Sequence, residues 1–131
     1  MKIGFFGDGP WSHKSLENLL LDKQYSVEFI CVRFNNPDIF ISDKSRELGI
    51  DLLIEKNINE ITFQTKLKKY NCDLFVSMSF DQIFKKETFN IPKKGTINCH
   101  AGKLPLYRGR NILNWALING ESEFGITVHF I

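Results

Sequence analysis

The chain has 131 residues, 17 basic against 15 acidic side chains, a net charge of +2, and 43% hydrophobic and 24% charged residues. These are the proportions of one globular domain, and they exclude a collagen, coiled-coil or wholly disordered chain. The near-balanced charge makes no electrostatic case for a nucleic-acid partner.

Apolar runs and helix-like stretches alternate along the chain. Lys2–Gly7 reads as a buried strand ended by the turn Gly7-Asp8-Gly9-Pro10, and Ser12 reads as the cap of a helix carrying Leu16, Leu19 and Leu20. Ser26–Phe34 is a second strand, broken by Asn35-Asn36-Pro37-Asp38. Ser42–Leu48 is a short helix stopped by Gly49, and Asp51–Glu55 a third strand. Ile58, Ile61, Leu67 and Tyr70 fall on one face of the next helix. Cys72–Met78 is a fourth strand, apolar on both faces as in a covered parallel sheet. Asp81–Thr88 is helical or a helical turn, Gly95–His100 a fifth strand, Asn111–Asn119 a helix ended by Gly120, and Gly125–Ile131 a last strand. This alternation predicts an α/β fold with an open, mostly parallel, twisted sheet of Rossmann type. Ligands then belong at the carboxyl ends of the strands, near the switch point between the first and fourth. That brings the Gly7–Trp11, Met78–Phe84 and Asn98–Arg110 loops around one crevice.

Cys31, Cys72 and Cys99 are odd in number and widely spaced. They argue against a disulfide framework or a zinc site, and for a reducing cytoplasm. No metal-ligand cluster stands out. No apolar run approaches the ~18 residues of a membrane span, and Asp8 interrupts the apolar start too soon for a signal peptide. A membrane partner is not expected.

Two groups of residues could carry chemistry. Gly7-x-Gly9 opens a helix and could admit an anion. The dinucleotide fingerprint is incomplete, however. Ser12 stands where a third glycine belongs, and Arg33, Phe34, Asn35 and Asn36 stand where an acid should meet the ribose. An NADP site through Arg33 fits slightly better, and a plain tight turn explains both glycines. The stronger candidate is Asn98-Cys99-His100. Residues two apart on a strand face one side, so Asn98 and His100 share a wall. An amide can steady an oxyanion while an imidazole moves a proton. On spacing alone a buried, hydrogen-bonded structural pair is an equal reading.

The sequence from Asn98 onward reads Asn98-Cys99-His100, then Leu104-Pro105-Leu106-Tyr107-Arg108-Gly109, Trp115-Ala116-Leu117, Asn119-Gly120-Glu121 and Gly125-Ile126-Thr127-Val128-His129. It resembles the signature of the folate-dependent formyltransferases: Asn-x-His, Leu-Pro-x-Tyr-Arg-Gly, Trp-Ala-Ile/Leu, Asn-Gly-Glu and Gly-x-Thr-x-His, in that order and spacing. Many members have Ser-Leu-Leu-Pro where this chain has Gly102-Lys103-Leu104-Pro105, and often a proline where Ile112 stands. The forms found here look like the branch that formylates nucleotide-linked amino sugars, such as a dTDP-4-amino-4,6-dideoxyhexose. A methionyl-tRNA formyltransferase, or a non-catalytic folate- or nucleotide-binding remnant, are the alternatives.

The resemblance implies a formyltransferase fold, with residues 1–131 as part of an N-terminal catalytic domain. It implies 10-formyltetrahydrofolate as formyl donor and Asn98 and His100 as catalytic residues. A third, an aspartate in a loop after the last strand, would lie beyond Ile131, so the chain is expected to be incomplete at its C-terminus. The pterin would lie along Ser79, Phe80, Asp81, Gln82, Ile83 and Phe84, whose aromatics would otherwise be ordinary core. Lys103 and Arg110 would meet a diphosphate and Asn111 a sugar hydroxyl, with Gly9 and Trp11 on the same side. Trp11 could stack on the acceptor or simply pack at a helix start. Tyr107 could bind substrate or, with Arg108, lock its loop. His129 is expected to support the site from behind and His13 to face solvent. The partly covered sheet flank could form a homodimer in the longer protein.

Overall fold

The computed structural model describes residues Met1–Ile131. Six strands, β1 (Lys2–Gly7), β2 (Ser26–Val32), β3 (Asp51–Ile54), β4 (Leu74–Met78), β5 (Thr96–His100) and β6 (Thr127–Phe130), form one sheet in the order β3-β2-β1-β4-β5-β6. All neighbours are parallel except β5 and β6. The order turns back between β1 and β4, as the strand–helix alternation predicts. The helices are α1 (Gly9–Leu21), α2 (Ile39–Leu48), α3 (Ile61–Lys69), the single turn α4 (Lys86–Phe89) and α5 (Ile112–Ile118).

The two faces follow from the strand period of two. Phe5 points to one side with Ile3, Ile30, Val32 and Val76, where Leu16 of α1 and Ile41 of α2 cover them. Phe6 points to the other with Phe29, Cys31 and Phe75, where Phe63 and Leu67 of α3 close the layer. Phe6 makes edge-on contacts with Phe29, Phe75, Phe80 and Phe84 at ring separations of 4.9–5.4 Å. Such edge-to-face pairs are favourable beyond their buried area. The cluster fixes the start of the segment after β4 against the centre of the sheet.

Three expectations change at element ends. Ser12 does not cap α1. The helix begins at Gly9 with Asp8 as its cap residue, and Ser12 is fully buried inside it. The Ser12 hydroxyl accepts from Asp8 N–H at 2.9 Å and reaches Met78 O at 2.7 Å, so it joins α1 to the end of β4. The second change is α2, which starts three residues earlier than Ser42, because Asp38 caps it through the Ile41 N–H at 2.9 Å. Third, Asp81–Lys85 is irregular, with a bend at Gln82, and the helical turn begins only at Lys86. Gln82 holds it there by accepting from Ile58 N–H and donating to Glu55 O.

Asp38 also explains why His13 is not solvent-facing. Its carboxylate accepts from Gly9 N–H at 2.9 Å and meets His13 Nε2 at 2.8 Å, and the His13 ring stacks on Phe40 at 4.3 Å. Burial alone would raise the Asp38 carboxyl. The Ile41 and Gly9 N–H groups and His13 outweigh it and hold the group below its ordinary 3.8. A depressed folded-state pKa contributes stability that is complete above the unfolded value and lost as pH falls through the folded one. Asp38→Ala should therefore lower stability at neutral pH by about 1–2 kcal/mol through the lost cap. It should also flatten the acid limb of the stability–pH curve below pH 4. Urea titrations from pH 7 to pH 3 would show both; an unchanged acid limb would remove Asp38 as its source.

Candidate functional site

β5 and β6 build the site through their register. Asn98 stands opposite His129 and His100 opposite Thr127 in the antiparallel pair. Two residues at i, i+2 on one strand thus face two at i, i+2 on the next, and directly opposed side chains in such a pair are neighbours. Asn98 Nδ2 lies 3.4 Å from His129 Nε2. His129 Nδ1 lies 2.9 Å from Phe130 O, which can only accept, so Nδ1 carries the hydrogen and Nε2 the lone pair. Asn98 therefore spends one N–H on His129. Its second N–H and its Oδ1 have no protein partner.

His100 is held in the same way. Its Nε2 lies 2.6 Å from the carbonyl of Tyr107, so Nε2 is the donor and Nδ1 has no protein partner. The Tyr107 hydroxyl in turn donates to Glu121 and accepts from Asn119 Nδ2, beyond the C-terminal end of α5. The Glu121 carboxylate raises the Tyr107 phenol above its ordinary 10.0, which keeps it a donor. Thr127 fastens the base of the loop by donating to Gly102 O at 2.7 Å and accepting from Leu104 N–H at 3.2 Å. Gly102 is required here. A Cβ at that position would stand 2.5 Å from Tyr107 O and 2.7 Å from His100 Nε2, so any other residue forces that hydrogen bond apart. Cys99 is half-buried between the pair, and burial raises its thiol above its ordinary 9.0, so it is no thiolate nucleophile.

Asn98 and His100 open onto a cleft of about 700 Å³ at the carboxyl ends of the strands. Trp11, Arg33, Ser79, Phe80, Arg110 and Asn111 line it with them. The volume falls in the range of small-molecule sites. The loops around β1, β4 and β5 thus meet at one place, as the topology predicts. No three His, Cys, Asp or Glu residues are grouped to hold a metal ion, and no helix is long and apolar enough to cross a membrane.

Several expected residues lie elsewhere. Lys103 does not reach the cleft; it lines a separate hollow with Glu121, Ser122 and Glu123. The Tyr107 side chain lies there too, so Tyr107 serves as a loop lock and reaches His100 only through its carbonyl. Gly9 does not line the cleft, and its N–H is already taken by Asp38, which leaves no anion site at the start of α1. Of the segment after β4, only Ser79 and Phe80 line the cleft. Phe84 is core at 6% exposure, Gln82 bonds backward to Ile58 and Glu55, and Asp81 and Ile83 lie outside the cleft, Ile83 being largely exposed. Glu121 and Thr127 carry no role in the sequence reading beyond their place in motifs. The signal was present in the paired i, i+2 spacing of Asn98/His100 and Thr127/His129, but only the strand register joins the two.

Gly102→Ala should break the Nε2–H tautomer of His100, which long-range 1H–15N spectra of the imidazole report directly. The wild-type ring should show Nε2–H and the variant a mixture. Tyr107→Phe, which removes the contacts to Glu121 and Asn119, should broaden the same imidazole signals without abolishing the Nε2–H form. Identical ring spectra in wild type and Gly102→Ala would rule out the carbonyl as the group orienting His100.

Comparisons with known proteins bear on the family and the fold. The formyl transferase family pattern matches residues 1–131. Methionyl-tRNA formyltransferase of Clostridioides difficile is 33% identical over 143 residues, covering 100% of this chain and 45% of that protein. The enzyme of the same name from Azobacteroides pseudotrichonymphae is 44% identical over 82 residues, or 63% of this chain. The chain thus spans less than half the length of these relatives. Among solved structures, glycinamide ribonucleotide transformylase 1 of Symbiobacterium toebii superposes with a TM-score of 0.78 at 22% identity, covering 99% of this chain and 65% of that one. Phosphoribosylglycinamide formyltransferase of Bacillus halodurans gives 0.82 at 15% identity, covering 100% and 72%. At such identities the structures attest the fold, and it is the match along the whole sequence that places this chain in the formyl transferase family.

Proposed function

We propose that the cleft transfers a formyl group from 10-formyltetrahydrofolate to a primary amine, with Asn98 and His100 as the catalytic residues. The single observation that carries this is the pair of hydrogen bonds that leaves each residue one group without a protein partner: an amide N–H on Asn98 and Nδ1 on His100. Formyl transferases of this family take their one-carbon unit from 10-formyltetrahydrofolate. That donor supplies an activated formyl carbonyl. The cleft fits it on two counts. Phe80 offers an aromatic wall, and its backbone N–H and C=O make no hydrogen bond within the protein. A flat heterocycle with donors and acceptors on its edge suits such a segment.

The free Asn98 N–H then faces the carbonyl oxygen as negative charge develops on it. An oxyanion donor of this kind contributes ~100–1,000-fold to the rate. In the neutral tautomer that donates Nε2–H to Tyr107 O, the His100 Nδ1 lone pair accepts a proton from the attacking amine and can return it to the departing nitrogen. Proton transfer by a positioned group contributes ~100–10,000-fold. His129 keeps the Asn98 amide from rotating its oxygen toward the reacting centre.

For the acceptor, Trp11, Arg110 and Asn111 all line the cleft, the Trp11 side chain half-exposed. An aromatic face, a guanidinium and a side-chain amide suit a nucleotide-linked amino sugar: base or sugar on the ring, phosphate on arginine, hydroxyl on the amide. Methionyl-tRNA is the second reading, favoured by the names of the sequence relatives.

His100→Ala should reduce formyl transfer at least ~100-fold, and Asn98→Ala ~100–1,000-fold, with circular dichroism unchanged. Mass spectrometry of acceptor panels would separate the readings. A formyl adduct on dTDP- or other nucleotide-linked amino sugars supports the first; formylation of methionyl-tRNA alone supports the second. Turnover retained in His100→Ala would contradict the assigned chemistry.

A further inference from the structure

We infer that Arg33, at the end of β2, is a positioning residue for the donor side of the cleft, holding the backbone at Ser79 where the chain leaves β4. The inference rests on the proposed donor position along Phe80. Arg33 is not adjacent to Ser79 in the sheet order, since β1 lies between β2 and β4. Its side chain crosses the end of β1 to reach it. Nη2 donates to Ser79 O at 2.7 Å, and Nη1 pairs with Asp8 Oδ2 at 3.2 Å. One planar guanidinium thus ties the first residues after all three central strands together.

Ser79 needs such a tie. It has a φ of +55°, in the left-handed region that a non-glycine residue adopts only when its surroundings compel it. The next residue, Phe80, is fixed on its core side by Phe6 and Phe84. Beyond it, Gln82 and the Ile83 carbonyl are fixed by Ile58, Glu55 and Asn59. Ser79 is the hinge between the strand and this fastened stretch, and Arg33 is the side chain that holds its carbonyl. The Arg33 Nε–H is buried with no partner. Leaving a buried donor unpaired is unfavourable. The geometry accepts this while committing the two outer nitrogens to Asp8 and Ser79. Arginine is the side chain able to make both contacts from one rigid fork; lysine carries the charge at a single point.

The test measures binding of 5-formyltetrahydrofolate by calorimetry, and KM for donor and acceptor separately, in the native polypeptide. The variants are Arg33→Ala, Arg33→Lys and Phe80→Ala. A hydrogen bond from a charged group corresponds to roughly tenfold or more in affinity. Arg33→Ala and Arg33→Lys should both weaken donor binding by about that factor and leave acceptor KM unchanged, while Phe80→Ala weakens donor binding too. Thermal melting of Arg33→Lys, which retains the charge beside Asp8, checks that the fold survives. Wild-type donor binding in Arg33→Lys would show that charge alone matters and would overturn the proposal. A rise in acceptor KM instead of donor KM would make Arg33 an acceptor contact and overturn it likewise. If Phe80→Ala weakens donor binding and the Arg33 variants do not, the donor position stands and the positioning role falls. If Phe80→Ala leaves donor binding intact, the donor position itself fails and takes the inference with it.

Discussion

The antiparallel pairing of β5 with β6 is the constraint on which the site depends. Five strands of the sheet run in one direction, and a ligand cleft at their carboxyl ends would form without the sixth. Only the reversed strand, in its observed register, brings His129 across from Asn98 and Thr127 across from His100. A slip of β6 by one residue would turn His129 and Thr127 to the opposite face of the sheet and away from Asn98 and His100. Asn98 would lose the acceptor that fixes its amide, and the Gly102 loop would lose its anchor at Thr127.

The hydrogen bonds in the site do little for net stability, because each replaces one made to water. Their effect is on orientation. A free asparagine amide presents oxygen or nitrogen with little preference, and a free imidazole carries its proton on either ring nitrogen. Here each ambiguity is removed by one partner that can play only one role. Phe130 O can only accept from His129, whose other nitrogen can then only accept from Asn98; Tyr107 O can only accept from His100. Groups fixed before a ligand arrives need not reorganise during reaction, which is where preorganised donors gain their strength.

Much of this was legible in the sequence. The apolar strands and glycine stops predict the strand order's switch point and the meeting of three loops. The alternation rule puts Asn98 and His100 on one wall. What was hidden was long-range. Ser12 carries every local mark of a helix cap, yet Asp8 precedes it and the hydroxyl is used 66 residues away on Met78. Lys103 resembles a phosphate ligand, yet the turn of its loop sends it toward Glu121 and Glu123. The aromatics of Phe80–Phe84 are ambiguous between core and ligand wall by composition, and the fold divides them: Phe84 inward, Phe80 at the rim. Gly9 looks like a phosphate turn until Asp38, from the next loop, takes its N–H. In each case a partner distant in sequence decided the outcome.

The loop that aims His100 is moored at its far end to the turn following α5, a seven-residue helix with a largely exposed Trp115, Leu117 and Ile118. Short helices fray readily, and segments that open below the global threshold are where local unfolding begins. Loosening of that turn would free the Tyr107 hydroxyl from Glu121 and Asn119 at one end of the loop, while Thr127 still holds the other end and the six-stranded layer stays intact.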